Sequence, residues 1–187
     1  MHQNNFPSFR KFVIRSILST DIKKHFTELS IFKDKLDNGD LNPFENSDNQ
    51  DDFLLMVGVF IHCCDLYTPT LSVENSFMWS HRVNQEFQMQ SKHEAELGLP
   101  MTPFLIGLDD IKKVANSEKF FIKSIVKPLW LEMDRFLQGV LSERLKNIET
   151  NLNTWEMVLN NEITVNEGMI EPVKSRKIVE EDEEAQA

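Results

Sequence analysis

The chain has 187 residues, 41% hydrophobic and 27% charged, enough for one domain with a sizeable core and unlike a low-complexity or fibrous protein. Its formal net charge of −10, with no basic stripe, argues against nucleic-acid binding and offers no long-range attraction to an anionic substrate. Apolar runs reach only about ten residues against the roughly 20 of a membrane-spanning helix, and the two cysteines, Cys63 and Cys64, are neighbours and cannot staple distant elements.

Six glycines and few alternating runs favour an all-α fold, a compact multi-helix bundle. A first helix starts near Pro7–Ser8, with Phe9, Phe12, Val13 and Ile17 at helical spacing. Ser19, Thr20 and Asp21 form a polar break or cap. Ile22, His25, Phe26, Leu29, Phe32 and Leu36 continue the period, as a second helix or as one helix bent at Thr20. Residues 37–52 carry turn chemistry and form a loop.

A helix from about Asp51 to Asp65 follows. It is apolar nearly all round from Phe53 to Ile61 and is expected at the centre of the bundle. Asp65 then stands as a carboxylate at the end of a buried helix, an arrangement that calls for a cation. Pro69 and Thr70 turn the chain into a long helix, about Ser72 to Leu97, stopped by Gly98 and Pro100. The loop 101–110 is unusually apolar and is expected to pack over something. Helices are expected over about 109–126 and 129–159, divided near Pro128, the second with an apolar stripe from Phe136 to Trp155. From 161 to 187, eight acidic residues against three basic ones predict an acidic disordered tail behind a 1–160 domain.

Five segments together resemble the class I 3′,5′-cyclic nucleotide phosphodiesterases. FRKFVIRSILSTDIKKHF (9–26), IHCCDLYTPT (61–70), MWSHRVNQEF (78–87), KHEAELGLPMTPF (92–104) and ANSEKFFIKSIVKPLW (115–130) stand in the family's order. The resemblance implies hydrolysis of cAMP or cGMP to the 5′-monophosphate by a two-metal site, where bridging hydroxide attacks phosphorus. It implies two divalent ions, zinc-like and magnesium-like, with Asp65 as a ligand of the first. His62 matches a family histidine and reads as structural; Cys63 and Cys64 read as packing.

The same resemblance implies a nucleotide pocket. Val83 and Phe121 match the apolar pair that clamps the base, and Trp79, Ser80, Phe87 and Phe104 match other lining positions. Where the family has a glutamine on the base edge, this chain has Glu118, and where it has asparagine after the first ligand turn, this chain has Thr68. Ser76 replaces a frequent tyrosine. An amide offers both a donor and an acceptor, whereas an ionised carboxylate only accepts.

The family's H-N-x-x-H segment, with its general-acid histidine, and its H-D pair do not occur among His2, His25, His62, His81 and His93. No catalytic residue is therefore assigned. The expectation is a chain carrying the C-terminal half of the catalytic domain, a truncated product inactive alone, with an exposed apolar groove where further helices pack. The expected partners are a cyclic nucleotide, a second copy or the missing half; the expected setting is cytoplasmic. The alternative is a catalytically dead helical module that binds a partner.

Overall fold

The computed structural model describes residues 6–44 and 50–172. It is helical, with α1 (Phe6–Leu18), α2 (His25–Asn38), α3 (Gln50–Asp65), α4 (Val73–Glu96), α5 (Ile111–Phe121), α6 (Lys127–Phe136) and α7 (Ser142–Leu159), followed by a small hairpin of β1 (Ile163–Asn166) and β2 (Met169–Pro172). The all-α reading holds. The core gathers Phe32 of α2, Val59 of α3, Phe77 of α4, Ala115 of α5, Leu129 and Met133 of α6, and Ile148 and Trp155 of α7.

The chain between α1 and α2 breaks rather than bends. Asp21 caps a 3-10 turn, Ile22–Lys24, its carboxylate accepting the Lys23 N–H at 3.0 Å. At the far end of α2, Gly39 takes the left-handed conformation (φ 70°), and the N–H of Asp40 returns to the Lys35 carbonyl. The start of α3 is tied to this end by Asp52, which is 2% exposed. It accepts Lys35 Nζ at 2.8 Å and the Asn42 N–H at 3.2 Å.

One expectation about packing is corrected. Although α3 is apolar nearly all round, only one side of it is covered: Leu55, Val59 and Cys63 are buried while Phe53 and Phe60 are 37% and 49% exposed. The described helices supply neighbours on one side only. The same holds for α1, which buries no residue and leaves Phe9 and Ile17 more than 60% exposed. This is the exposed apolar face that the sequence predicts.

Pro128 does not divide the last helices. The backbone widens into a π-turn over Ile122–Val126, with the Lys127 N–H reaching the Ile122 carbonyl, and runs on into α6. A π-turn just ahead of proline absorbs the missing N–H and the ring, so the axis continues. The break falls instead at Gln138 and Gly139, both with positive φ (56° and 88°), and Asp134 Oδ1 catches the Leu141 N–H at 2.6 Å.

The acidic tail does not begin at 161. Ile163–Asn166 pairs with Met169–Pro172, Val165 opposite Ile170, and both apolar side chains pack on the core. Alternation of apolar and polar residues over 163–166 is the strand signal that charge counting obscured. Gly168 (φ 81°) seats the turn on α4, where a Cβ would meet Met78 Cα at 3.0 Å and the Phe77 carbonyl at 3.2 Å. The remainder of the proposed tail, 173–187, lies outside the described residues.

Candidate functional site

One face of α4 organises the predicted site. Ser76, Ser80, Val83 and Phe87 recur at three and four residues and so share a side of the helix. Ser80 is buried, and its hydroxyl donates to Glu118 Oε1 of α5 at 2.6 Å. Asn84, one turn on, donates from Nδ2 to the same oxygen at 3.4 Å and to Ser80 Oγ at 3.2 Å. The three side chains form one network tying α4 to α5. Burial pushes the Glu118 carboxyl above its ordinary pKa, and the hydrogen bonds from Ser80 and Asn84 only partly oppose this.

Aromatic rings border this network. Phe87 meets Phe104 edge to face, centroids 6.0 Å apart. Trp79 receives the edge of Tyr67 at 6.5 Å and the Arg82 guanidinium at 5.6 Å from its ring. Phe121 is half-buried against the core, and Val83 is 36% exposed. Phe104, in the apolar loop, is 64% exposed, but it meets Phe87, and the same loop buries Leu105 and Leu108, so the loop does pack over the helices beneath it as expected.

Asp65 stands apart. It is the last residue of α3 and is exposed, so it is not the buried carboxylate in want of a cation that the apolar run suggested. Thr68, half-buried, begins a 3-10 turn, Thr68–Thr70, which α7 grips through its carbonyls. Asn151 donates to Pro69 and Leu71 at 2.7 and 3.0 Å, and Asn147 to Thr70 at 2.9 Å. These two asparagines, four residues apart inside the α7 stripe, show in the sequence only as polar interruptions of a core face, as does Asn84 on α4.

Beneath Asp65 lies a pair that sequence reading missed. His25 Nδ1 and His62 Nε2 are 3.0 Å apart, with the residues 1% and 4% exposed. One ring donates to the other. Their outer nitrogens, His25 Nε2 and His62 Nδ1, have no hydrogen-bond partner among the described residues. Burial lowers both pKa values. For His25 the neighbouring His62 adds to the effect; for His62 the charges of Asp65 and Glu28 oppose it. Cys63 is buried, its thiol pushed up to about 12 chiefly by burial. Cys64 is exposed rather than packed, because it lies on the uncovered side of α3.

Among the described residues no group of three His, Cys, Asp or Glu is placed to hold a metal ion. Asp65 is a single carboxylate, and the donor set does not fit a metal pair.

Replacing Glu118 with glutamine tests the network. A carboxyl whose pKa is raised on folding costs stability as pH climbs from its unfolded value of 4.5 through the raised one. Glutamine keeps an acceptor for Ser80 without that charge. Glu118→Gln is therefore expected to unfold at a higher temperature than the parent at pH 8, with the gap closing toward pH 5. Melting curves at the two pH values check it, and equal gaps would refute it.

The chain's relatives are specific. Residues 1–148 match the 3'5'-cyclic nucleotide phosphodiesterase family profile, and the chain belongs to that family. It is 29% identical over 165 residues to the dual 3',5'-cyclic-AMP and -GMP phosphodiesterase beta of Plasmodium falciparum (isolate 3D7), covering 87% of this chain and 14% of that one. It is 31% identical over 157 residues to the 3',5'-cyclic-nucleotide phosphodiesterase regA of Dictyostelium discoideum, covering 83% of this chain and 19% of that one. The crystal structure of the phosphodiesterase domain of the RhoPDE fusion protein from the choanoflagellate Salpingoeca rosetta superposes with a TM-score of 0.76 at 30% identity. That match covers 86% of this chain and 49% of the other. The chain thus spans less than a fifth of these two curated relatives and about half of the solved domain.

Proposed function

We propose that this chain forms the nucleotide-binding wall of a 3′,5′-cyclic nucleotide phosphodiesterase, and that hydrolysis requires residues beyond those described. The observation that carries the reading is the Ser80–Asn84–Glu118 network, set between aromatic residues of α4, α5 and the apolar loop. In this reading Val83 and Phe121 hold the faces of the base, and Trp79, Phe87, Phe104 and Thr68 shape the pocket around it. Glu118 meets the base edge, as an acceptor when ionised and as donor and acceptor when protonated.

Asp65 would lend one carboxylate to a centre whose other ligands the described residues do not include. No leaving-group acid is assigned either. The partner that fits is the other half of a phosphodiesterase domain, seated on the apolar face that α1 and α3 leave open. Among the described residues no helix is long and apolar enough to cross a membrane, and two free thiols accord with a cytoplasmic setting.

The test is an assay of cAMP and cGMP hydrolysis with Zn²⁺ and Mg²⁺. The protein is assayed alone and with an added polypeptide spanning the half of the choanoflagellate domain that this chain does not match. No turnover is expected alone. Turnover is expected on complementation and is lost in Asp65→Ala. Turnover by the chain alone, indifferent to Asp65→Ala, would overturn the reading.

A further inference from the structure

The polarity of the Ser80–Asn84–Glu118 network is fixed from one end. Asn84 Nδ2 donates to the Ser80 backbone carbonyl at 2.8 Å, and a carbonyl only accepts, so the amide cannot be turned the other way. The same Nδ2 donates to Ser80 Oγ at 3.2 Å. The Ser80 hydroxyl then sends its one proton to Glu118 Oε1 at 2.6 Å, and Asn84 Nδ2 also reaches Oε1 at 3.4 Å. Oε1 is therefore held as an acceptor whether the carboxyl is ionised or not. A proton on this carboxyl sits on Oε2.

Oε2 is the oxygen left for a ligand. Glu118 is half-buried, and its Oε2 accepts from none of the described residues without being one of the sealed, unpaired polar atoms of the core. No neighbouring charge fixes its state. The side of α4 that meets it offers neutral Ser80 and Asn84, Lys119 beside it in the chain is paired with Glu156 of α7, and Lys123 is exposed. Burial, not a charged side chain, raises its pKa. An amide here would present a fixed N–H donor, because its oxygen is the atom the network must hold. A carboxyl instead presents a donor when protonated and an acceptor when ionised.

Purines divide on the same property: a 6-amino purine offers a donor at that position and a 6-oxo purine an acceptor. The 6-substituent projects beyond the ring edge, so it meets a facing oxygen before ring N1 does. Resting on the reading that Glu118 meets the base edge, we propose that Glu118 Oε2 reads the 6-substituent of a purine cyclic nucleotide, its proton setting the preference. The ionised carboxylate takes the 6-amino class and the protonated acid takes the 6-oxo class. The exchange needs no rotation of the side chain, since Ser80 and Asn84 hold Oε1 throughout. The site is thus selective at any one pH and admits both classes across the range.

Two probes that differ only along that edge are cAMP and 3′,5′-cyclic inosine monophosphate. Their binding to the whole chain is measured by saturation-transfer NMR titration at pH 8 and pH 5.5. At pH 8 cAMP is expected to bind about ten-fold more tightly, a matched hydrogen bond against a mismatched one. At pH 5.5 the order is expected to reverse. Glu118→Gln is expected to prefer the inosine nucleotide at both pH values, since its Nε2–H₂ only donates. Circular dichroism checks that the helices persist at pH 5.5; if they do not, the opposite preferences of parent and variant at pH 8 decide alone. An order in the parent that ignores pH, a reversal in the other direction, or a variant that shares the parent's preference at pH 8 would each overturn the proposal and leave the nucleotide site standing. Binding of neither nucleotide at either pH would instead overturn the nucleotide-wall reading, and the proposal with it.

Discussion

Replacing Asn151 with alanine is expected to lower the free energy of unfolding by about 3 kcal/mol, more than any other single truncation on α7 outside its large apolar residues. Asn151 is 0% exposed, and its Nδ2 serves two backbone carbonyls, Pro69 and Leu71. The 3-10 turn spends its own N–H groups locally, Thr70 to the Tyr67 carbonyl and Leu71 to the Thr68 carbonyl. Nothing within the turn can then answer the carbonyls that Asn151 leaves. Each buried acceptor stripped of its donor costs about 1–3 kcal/mol, and loss of the unpaired Asn151 Oδ1 returns only part of this. Asn147→Ala removes a half-buried bond to Thr70, and Arg144 still reaches that carbonyl at 3.4 Å, so its cost is about 1 kcal/mol or less.

Urea unfolding followed by helical circular dichroism measures both variants. Amide exchange at Thr70 and Leu71 should rise in Asn151→Ala even where global unfolding is negligible, because the grip on the turn is what is lost. A midpoint unchanged in Asn151→Ala would show that water or the neighbouring backbone answers those carbonyls. The functional consequence is positional: this turn carries Thr68, three residues beyond Asp65, so loosening it blurs one end of the candidate site.

The fold was readable where a single helix face carries the signal. The period of α4 and its stop at Gly98 follow from spacing and one glycine, and the structure agrees to within a residue or two. The reading failed where two local signals compete. Pro128 looks like a boundary because proline removes an i to i−4 bond, but the π-turn before it absorbs the defect, and the true boundary is the positive-φ pair Gln138–Gly139. Net charge hid the hairpin, since Glu162, Glu167 and Glu171 lie among apolar residues that alternate inward.

Side-chain partnerships were the least legible part. Ser80 and Glu118 are 38 residues apart, His25 and His62 are 37 apart, and Asn151 lies 82 and 80 residues from its two carbonyls. No local pattern encodes such pairs; only the packing of α2 on α3, of α4 and α5 against α7, and of α7 on the turn creates them. Resemblance located Glu118 and Asp65 as positions, but not their surroundings. Glu118 proved half-buried and bonded, and Asp65 exposed, the reverse of the weight that the apolar run before Asp65 suggested.

The His25–His62 pair makes acid destabilisation the second large effect. Both rings are buried, both pKa values are lowered from 6.5, and their nitrogens face each other at 3.0 Å. In the folded protein they stay neutral at a pH where the unfolded chain already binds protons. The unfolded state therefore gains stability as pH falls: the contribution is full above about 6.5 and is lost progressively toward the lowered values. Each proton taken up only on unfolding steepens the loss by about 1.4 kcal/mol per pH unit. The charged groups around the pair soften this without reversing it. Asp65 at the end of α3 and Glu28 of α2 favour a protonated His62, but Glu28 is already committed to Arg15 of α1. Glu118, whose pKa burial raises, contributes with the opposite sign, so the measurement belongs in the Glu118→Gln background. There, the urea midpoint is expected to fall steeply between pH 7 and pH 5.5. Substituting both histidines by leucine is expected to leave the midpoint at pH 7.5 nearly unchanged, since removing both partners strands neither, and to flatten its pH dependence. His62→Leu alone leaves His25 with two unanswered nitrogens and should be less stable than the double variant at pH 7.5. A double variant that keeps the parental slope would assign the acid sensitivity to other groups.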